Sequence, residues 1–236
     1  MSESSLSRSH TAHESHASHA SHAASSSRRA PTSSPSWRSY RESIGDRSGI
    51  YRALLEHWTP ASALNVGSYL DLSPSTCIPA VTYVDTDRRA AKYFADSARV
   101  RADLDDETLP GAATEITFLN ADFLTPLAVA DASFDLLIAL FTGPAWDSCA
   151  RYLAPGGLFL ANSSHGDASL AALDPRLTLV GAIHHRDGRY RIDRADLDHY
   201  LIPKKPALAN ADLIRASGRG IAYTKPAFAY LFQLER

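Results

Sequence analysis

Short apolar stretches alternate with helical patterns along most of the chain, and this alternation limits the possible folds more than any other feature. The predicted strands are 63–66, 81–84, 116–119, 134–140, 158–161, 177–183 and 227–234, and helical spacing marks 51–58, 88–95 and 147–153. Strands that alternate with helices form a mostly parallel sheet with helices packed on both faces. The sequence therefore predicts a doubly wound α/β domain with a mostly parallel, seven-stranded sheet.

Candidate ligand-binding residues follow the predicted strands directly. In doubly wound sheets, ligands bind beyond the carboxyl ends of the strands, beside the first strand. Gly67 follows that strand, and a residue without Cβ lets the backbone approach a ligand closely. Asp85 ends the second strand, and its carboxylate can accept two hydrogen bonds from a ribose diol. His165 follows the fifth strand, where it could act as a general base or be an ordinary solvent-exposed loop residue.

Five short segments in chain order carry a family resemblance. They are Leu64-Asn-Val-Gly67, Tyr83-Val-Asp85, Leu119-Asn-Ala-Asp122, Phe134-Asp-Leu-Leu137 and Leu153-Ala-Pro-Gly-Gly157. Their succession over roughly residues 60 to 165 resembles the ordered motifs of class I S-adenosylmethionine-dependent methyltransferases. The resemblance implies the fold of that class, S-adenosylmethionine as cofactor and an enzyme that transfers its methyl group.

The resemblance also implies roles for individual residues. Asp85 would hold the ribose, Asp122 and Phe123 the adenine, and Leu140 and Phe141 would lie where the methyl group meets the substrate. The cofactor contacts implied in addition are Asn65, Gly67, Ser68, Tyr69, Asp71 and Thr86. Asp71 would face the ammonium of the methionine part. His165 is the candidate catalytic base, and no metal ligands are expected.

The first loop departs from the family pattern. The family has Asp-x-Gly-x-Gly-x-Gly, where this chain has Asn65-Val-Gly67-Ser-Tyr69-Leu-Asp71, so one glycine of three is retained. Tyr69 would crowd a cofactor that lies close to the backbone, unless it is a core aromatic residue. Three outcomes are open: a remodelled cofactor site, a different cofactor, or a fold that has lost catalysis.

The leading functional hypothesis is methyl transfer to a small-molecule acceptor, in which proximity and orientation supply most of the rate. The alternative is a non-catalytic nucleoside-binding or scaffold protein on the same fold. A nicotinamide-dependent oxidoreductase is the weaker alternative, because the first loop does not fit Gly-x-Gly-x-x-Gly either. A net charge of −2 gives no reason to expect nucleic acid as a partner, and no apolar run is long enough to span a membrane. With two cysteines in no metal or disulfide pattern, a cytoplasmic protein is expected.

Residues 1–36 differ sharply in composition from the domain expected over 37–236. They are rich in Ser, Ala and His, and too poor in large apolar side chains to offset the entropy of ordering. We therefore predict a disordered tail. Its five histidines, at positions 10, 13, 16, 19 and 22, recur every third residue. They are either a site for zinc or nickel or, as we expect, part of a solvated low-complexity segment.

Four further expectations concern the folded region. A helix from about 40 to 58 is a candidate lid over a small substrate. Asp135 is expected to be a structural turn acid, and residues 184–188 an exposed hairpin with an Asp-Gly turn. Tyr200 and Lys204 have the spacing of a dehydrogenase pair, but Pro203 between them argues against the helix that such a pair needs.

Overall fold

The computed structural model describes residues 35–105 and 114–235. The predicted tail therefore lies outside the described residues, apart from Pro35 and Ser36. The helices are α1 (Trp37–Ile44), α2 (Ser48–Leu55), α3 (Arg88–Phe94), α4 (Ser97–Asp105), α5 (Trp146–Cys149), α6 (Asp167–Ala171) and α7 (Ala211–Ser217). The strands are β1 (Ser62–Val66), β2 (Ala80–Val84), β3 (Glu115–Leu119), β4 (Phe134–Ala139), β5 (Leu153–Ala161), β6 (Leu177–Arg186), β7 (Arg189–Asp193) and β8 (Ala229–Leu234).

The eight strands of the described residues form one sheet, in the order β3-β2-β1-β4-β5-β8-β6-β7. The first five strands run parallel, β8 lies antiparallel between β5 and β6, and β7 pairs antiparallel with β6. The doubly wound, mostly parallel sheet predicted from the sequence is confirmed. The predicted count of seven strands is corrected to eight, because the chain reverses at Asp187-Gly188 and adds β7 as the edge strand. The predicted 184–188 hairpin is present.

The helix predicted from about 40 to 58 is wrong as a single element. Ser36 caps α1 in a reciprocal capping box with Ser39, and α1 ends at Gly45. The carboxylate of Asp46 then accepts the backbone N–H of Ser48 and starts α2. The polar break between the two helices places Arg47 at the N-cap of α2, directly before its first turn.

The segment Pro155-Gly-Gly157 also differs from the prediction, which was a turn before the fifth strand. It lies within β5, where the pairing with β4 shifts register between Phe134 and Leu136. Proline has no N–H to donate to a ladder, so the strand bulges there and regular pairing resumes at Leu158.

Two apolar clusters cover the two faces of the sheet. Alternate residues of each central strand contribute to opposite clusters, as the period of two in a strand requires. Leu136 and Ile138 of β4 face the cluster under α1 and α2, and Leu137 and Ala139 face the cluster under α5 and α6. Because both faces of the sheet are packed, the strand ends and the loops that follow them have fixed positions. No helix within the described ranges is both long and apolar enough to cross a membrane.

Asp135 joins the start of β1 to β4. Its Oδ2 accepts the backbone N–H of Ala61 at 2.9 Å, the N–H of Ser62 at 3.0 Å and the Ser62 hydroxyl at 3.1 Å. Three donors on one carboxylate oxygen make it a structural acid, as expected from the sequence.

We predict that Asp135→Ala lowers the free energy of unfolding by about 2–3 kcal/mol, because it leaves several partly buried donors without an acceptor. The measurement is the urea unfolding midpoint. Asp131→Ala is the control: the Asp131–Arg151 pair is 2.8 Å long, but both side chains are more than half exposed. We expect a change within about 0.5 kcal/mol for this control. Equal effects of the two substitutions would contradict the role of Asp135.

Candidate functional site

A small pocket lies at the carboxyl ends of β1 and β4. Its volume is about 50 Å³, and it is lined by Tyr40, Arg47, Tyr51, Asn65, Gly67, Ser68, Asp71, Ile138, Leu140 and Phe141. Six of these were predicted to contact a cofactor: Asn65, Gly67, Ser68, Asp71, Leu140 and Phe141. The pocket also includes residues from α1 and α2, which the sequence did not connect to the first loop.

Gly67 is packed tightly against the loop that follows β4. It has a φ of 62°, and its N–H donates to the carbonyl of Val84 at 2.9 Å. A Cβ at this position would overlap the hydroxyl of Thr142 and lie 2.7 Å from its Cβ. Glycine is therefore required here because the side chain of Thr142 lies too close to the backbone for a Cβ.

Asp85 holds the loop after β1 in place. Its Oδ2 accepts the backbone N–H of Tyr69 at 2.7 Å, and its Oδ1 accepts that of Asp87 at 2.8 Å. Tyr69 has a φ of 44°, which is unusual for a residue with a side chain. Its ring packs edge-on against Tyr40, with centroids 4.9 Å apart, and joins the apolar cluster under α1 and α2. Tyr69 thus packs as a core aromatic residue and does not line the pocket.

A buried ion pair forms one side of the pocket. Arg47 Nη1 lies 3.2 Å from Asp71 Oδ2, and the two side chains are 11% and 7% exposed. Asp71 Oδ1 accepts the N–H of Ser73, and the Arg47 guanidinium lies 4.5 Å from the ring centroid of Phe141. Arg47 thereby connects the first loop to the loop after β4. Nothing in the local sequence distinguishes Arg47 from the arginines that lie on the surface.

The predicted adenine and ribose neighbours lie outside the pocket. Asp122 is exposed, and its Oδ1 accepts the N–H of Leu124, which is the bonding of a turn residue. Phe123 is half-buried, and its ring faces Gly143. Thr86 is exposed. The loop after β3 nevertheless contacts the loop after β2, because the side-chain amide of Asn120 donates to the carbonyl of Asp85 at 2.9 Å.

His165 is connected to the pocket by hydrogen bonds. Its Nδ1 lies 2.9 Å from the Ser164 hydroxyl, which donates to Asn162 Oδ1 at 2.8 Å. The same amide oxygen accepts the N–H of Phe141. His165 is exposed, and its ring is held by Ser164. Sequence reasoning missed Asn162, although it follows β5 as directly as Gly67 follows β1.

Asp167 is a buried acid that sequence reasoning missed. Its Oδ1 accepts the N–H groups of Ala145 and Trp146 at 2.8 and 3.0 Å, which fixes the loop after β4 to the start of α6. Its Oδ2 is buried and has no hydrogen-bond partner within the described residues. Burial raises the pKa of Asp167 from its ordinary value of 3.8 to about 7, against the effect of the two N–H donors.

Tyr200 has a different lysine neighbour from the one that its sequence spacing suggests. Pro203 forms an isolated bridge with Tyr223, so the segment from Tyr200 to Lys204 is not helical. The Tyr200 hydroxyl donates to Asp193 at 2.7 Å and lies 2.7 Å from Nε2 of His184. The ammonium of Lys225 lies 3.8 Å from the Tyr200 ring centroid. Through these contacts Tyr200 connects Lys225, in the segment before β8, to His184 and Asp193 of the β6–β7 hairpin.

Comparison with solved structures finds proteins of similar architecture at low sequence identity. A protein of Bacillus halodurans C-125 described as a methyltransferase is 13% identical, with 55% of this chain and 56% of that chain covered and a TM-score of 0.38. A Klebsiella pneumoniae protein described as an O-methyltransferase is 12% identical, with 81% of each chain covered and a TM-score of 0.48. The N-methyltransferase NodS of Bradyrhizobium japonicum WM9 is 14% identical, with 80% of this chain and 95% of that chain covered and a TM-score of 0.45.

No family model matches the sequence, and no curated protein matches it. The fold class follows from the sheet itself, which is the mostly parallel, doubly wound sheet expected from the sequence. The first of these solved structures is matched over little more than half of its length. The reaction therefore has to be inferred from the residues of the site.

We predict that Gly67→Ala lowers the free energy of unfolding by about 2–4 kcal/mol, because the added methyl group overlaps Thr142 and the backbone has positive φ. Combining it with Thr142→Gly removes the overlap and should recover at least about 1 kcal/mol relative to the sum of the two single effects. Urea unfolding of the four proteins of this double-mutant cycle measures the coupling. Strictly additive effects would show that the two residues do not contact each other.

The raised pKa of Asp167 predicts a pH-dependent stability. The folded state keeps this proton to about pH 7, whereas the unfolded carboxyl loses it near pH 4. The contribution of the neutral acid is therefore complete below pH 4 and is lost as the pH rises through 7.

Asp167→Asn keeps an acceptor for Ala145 and Trp146 but carries no ionisable proton. We expect its unfolding free energy, relative to that of the unchanged protein, to be higher at pH 8 than at pH 5. Urea unfolding at both pH values measures this difference. A stability difference independent of pH would contradict the raised pKa.

Proposed function

We propose that the chain is an S-adenosylmethionine-dependent methyltransferase that acts on a small-molecule acceptor. The observation that carries this proposal is the convergence of Asn65, Gly67, Ser68, Asp71, Leu140 and Phe141 on one pocket. These residues come from the loops after β1 and β4, beside the first strand, where doubly wound sheets bind their ligands. Six of the eleven cofactor contacts that the family resemblance implies therefore line one pocket.

The charged groups of the pocket suit the amino-acid end of the cofactor. A methionine moiety carries an ammonium and a carboxylate, and the Arg47–Asp71 pair offers one partner of opposite charge for each. The hydroxyl of Ser68 is buried beside this pair and has no hydrogen-bond partner among the described residues. A buried polar atom without a partner is costly, and a bound polar ligand would satisfy it.

Asp85 remains suited to a ribose. Each of its carboxylate oxygens accepts one backbone N–H, and a carboxylate oxygen has two lone pairs. The two N–H donors therefore fix the orientation of the carboxylate and leave an acceptor position on each oxygen. Two such positions match the two adjacent hydroxyls of a ribose.

The pocket has to widen when the cofactor binds. Its 50 Å³ is far below the roughly 300–1,000 Å³ of small-molecule sites. Arg47 and Tyr40 enclose it from the segment of α1 and α2, which joins the rest of the site through side-chain contacts. Exchange of Asp71 for a cofactor carboxylate as the partner of Arg47 would let the Arg47 side chain turn out of the pocket, while the apolar residues of α2 stay packed in the core. The side chains of Arg47 and Tyr40, rather than the two helices, would then move, whereas a helical lid was expected from the sequence.

Bound S-adenosylmethionine supplies an electrophilic methyl group. The residues of this chain then have to position an acceptor and take up its proton. Phe141, 45% exposed just beyond the carboxyl end of β4, lines the pocket on one side. His165 is the candidate to take the proton, since Ser164 and Asn162 hold its ring on the same rim.

The small volume favours one other function, that of a non-catalytic binding or scaffold protein. If Thr142 against Gly67 and Arg47 against Asp71 keep the pocket closed, no cofactor enters. The two functions differ in their affinity for S-adenosylmethionine, which can be measured directly.

We predict that S-adenosylmethionine and S-adenosylhomocysteine bind the full chain with micromolar affinity, or about −8 kcal/mol, in calorimetric titration. Binding of neither compound would favour the scaffold function. Binding of a nicotinamide dinucleotide instead would favour an oxidoreductase. Methyl transfer to candidate acceptors would be assayed after cofactor binding is established.

We predict that Asp85→Asn weakens S-adenosylhomocysteine binding by about 1–3 kcal/mol, because it removes the charge from the ribose acceptor. Asparagine keeps one oxygen, so part of the loop bonding remains, and the unfolding free energy of the variant shows how much is lost. Asp131→Asn, which removes an exposed carboxylate elsewhere, is the matched control and should bind as before. Unchanged affinity in Asp85→Asn would contradict the ribose assignment.

A further inference from the structure

Phe141 combines backbone strain with exposure at the rim of the pocket. Its φ is 60°, and its side chain is 45% exposed. A left-handed backbone is costly for a bulky residue, and such conformations cluster at functional sites. Among the described residues, Phe141 is the one exposed large apolar residue with positive φ. Its N–H donates to Asn162 Oδ1 at 3.3 Å, so the ring is held at the surface by a conformation that aromatic residues rarely adopt.

Three further rings continue from Phe141. Phe228 touches Phe141 edge-on, with centroids 5.8 Å apart and an angle of 65° between the ring planes. Phe228 touches His185 and Tyr190 in the same way, at 5.8 and 5.4 Å, and those two rings stack with centroids 4.2 Å apart. We call these four rings the aromatic surface. Edge-on and stacked rings attract each other at such distances, so the four rings stabilise one another.

The aromatic surface is only partly covered by the rest of the chain. Phe141 and His185 are exposed, and Tyr190 and Phe228 are half-buried. Tyr190 and Phe228 pack with their buried parts against the apolar cluster under α1 and α2. Contiguous apolar patches on the surface of a soluble protein often mark binding sites. Four contiguous rings beside the proposed cofactor pocket therefore indicate a ligand.

The strand register keeps the arginines of β7 off this face. Alternate residues of a strand point to opposite faces of a sheet. Tyr190 and Ile192 pack on the cluster under α1 and α2, so Arg189 and Arg191 point to the other face. His185 pairs directly with Tyr190 across the hairpin and shares its face. The hairpin thus contributes rings and apolar side chains beside α2, and the ligand expected there is apolar.

Contacts with α2 and β6 fix the positions of the rings. A Cβ on Gly49 would lie 2.9 Å from Cδ2 of Tyr190, so the absence of a side chain there lets the ring pack on α2. The N–H of Phe228 donates to the carbonyl of Ile183 at 2.8 Å, which fixes its backbone to β6. The aromatic surface is therefore preorganised, which lowers the entropic cost of binding a ligand.

The aromatic surface extends between two spaces. Phe141 lines the pocket at β1 and β4, and His185 and Tyr190 line a groove of about 750 Å³ between α2 and the β6–β7 hairpin. The volume of the groove lies within the roughly 300–1,000 Å³ of small-molecule sites. A ligand on the rings would lie beside Phe141, where the family resemblance places the methyl group, and would have room at the other end of the surface.

We propose that the aromatic surface binds the acceptor, and that the acceptor is a planar aromatic molecule that packs on Phe141 and Phe228. This proposal rests on the proposed methyltransferase function and narrows the acceptor to aromatic small molecules. An aromatic ligand gains stacked or edge-on contacts with these rings beyond the burial of its apolar area. It also covers the exposed part of Phe141. A saturated molecule of the same shape gains the burial alone.

The test compares naphthol with decahydronaphthol, which has the same carbon skeleton and hydroxyl but no aromatic ring. Each compound is titrated into the full chain, labelled with ¹³C in its phenylalanine rings, with and without S-adenosylhomocysteine, and binding is followed by NMR. We expect saturable shifts of the Phe141 and Phe228 ring resonances with naphthol. Decahydronaphthol should bind about two- to tenfold more weakly, because it lacks the ring contacts.

Phe228→Leu should also weaken naphthol binding about two- to tenfold, because leucine keeps apolar area but has no ring. Phe118→Leu is the matched control. Phe118 is likewise half-buried in a ring contact, with Phe94 at 4.5 Å, and lies on β3 at the opposite edge of the sheet. This variant should bind naphthol as the unchanged chain does. Amide resonances distant from each substitution show that both variants are folded.

Absence of saturable ring shifts, equal affinity for the two compounds, or equal loss in both variants would overturn the proposal. A dimer of the unliganded chain in sedimentation, abolished by Phe228→Leu, would assign the surface to a second copy of the chain and overturn it as well. Titration with S-adenosylhomocysteine alone separates the two proposals. Cofactor binding without naphthol binding would refute the aromatic acceptor alone. Naphthol binding without cofactor binding would refute the methyltransferase function, and with it the role of the bound molecule as an acceptor.

Discussion

The geometry of the candidate site depends on the carboxylate of Asp85. The loop after β1 has one glycine where the family pattern has three. Its backbone is held in place by hydrogen bonds from elsewhere in the chain. Asp85 accepts the N–H groups of Tyr69 and Asp87, and thereby fixes the loops after β1 and β2 to each other. Because Tyr69 is held at positive φ, its ring packs on Tyr40 and away from the pocket lining. One carboxylate thus compensates for the missing glycines.

The Arg47–Asp71 ion pair connects this loop to the helices that precede the sheet. A buried ion pair gains little stability overall, since the cost of desolvating both charges offsets their attraction. Its consequence here is geometric. Arg47 contacts Asp71 and Phe141 together, so α2 cannot move without changing both site loops. The pocket is small because Arg47 fills the space between those loops.

The eighth strand changes the surface beside the site. Addition of β7 to the sheet edge brings Tyr190 next to α2, where its ring packs against Gly49. Phe228 and Phe141 continue this packing to the end of β4. The edge of the sheet is therefore connected to the pocket at its centre by a series of ring contacts.

The sequence by itself determined the sheet, the order of the loops and the short-range structural residues. Period-two strands separated by helices predicted the doubly wound fold, the Asp-Gly dipeptide predicted the hairpin, and Asp135 was recognised as a structural acid. These features depend on residues close together in the chain, or on periodicity, so local patterns reveal them. The tertiary structure alone decided that Thr142 packs on Gly67, that Arg47 pairs with Asp71 and that Asp167 is buried. Each of these depends on a contact between segments distant in sequence, whose distance and burial follow from how the helices pack on the sheet.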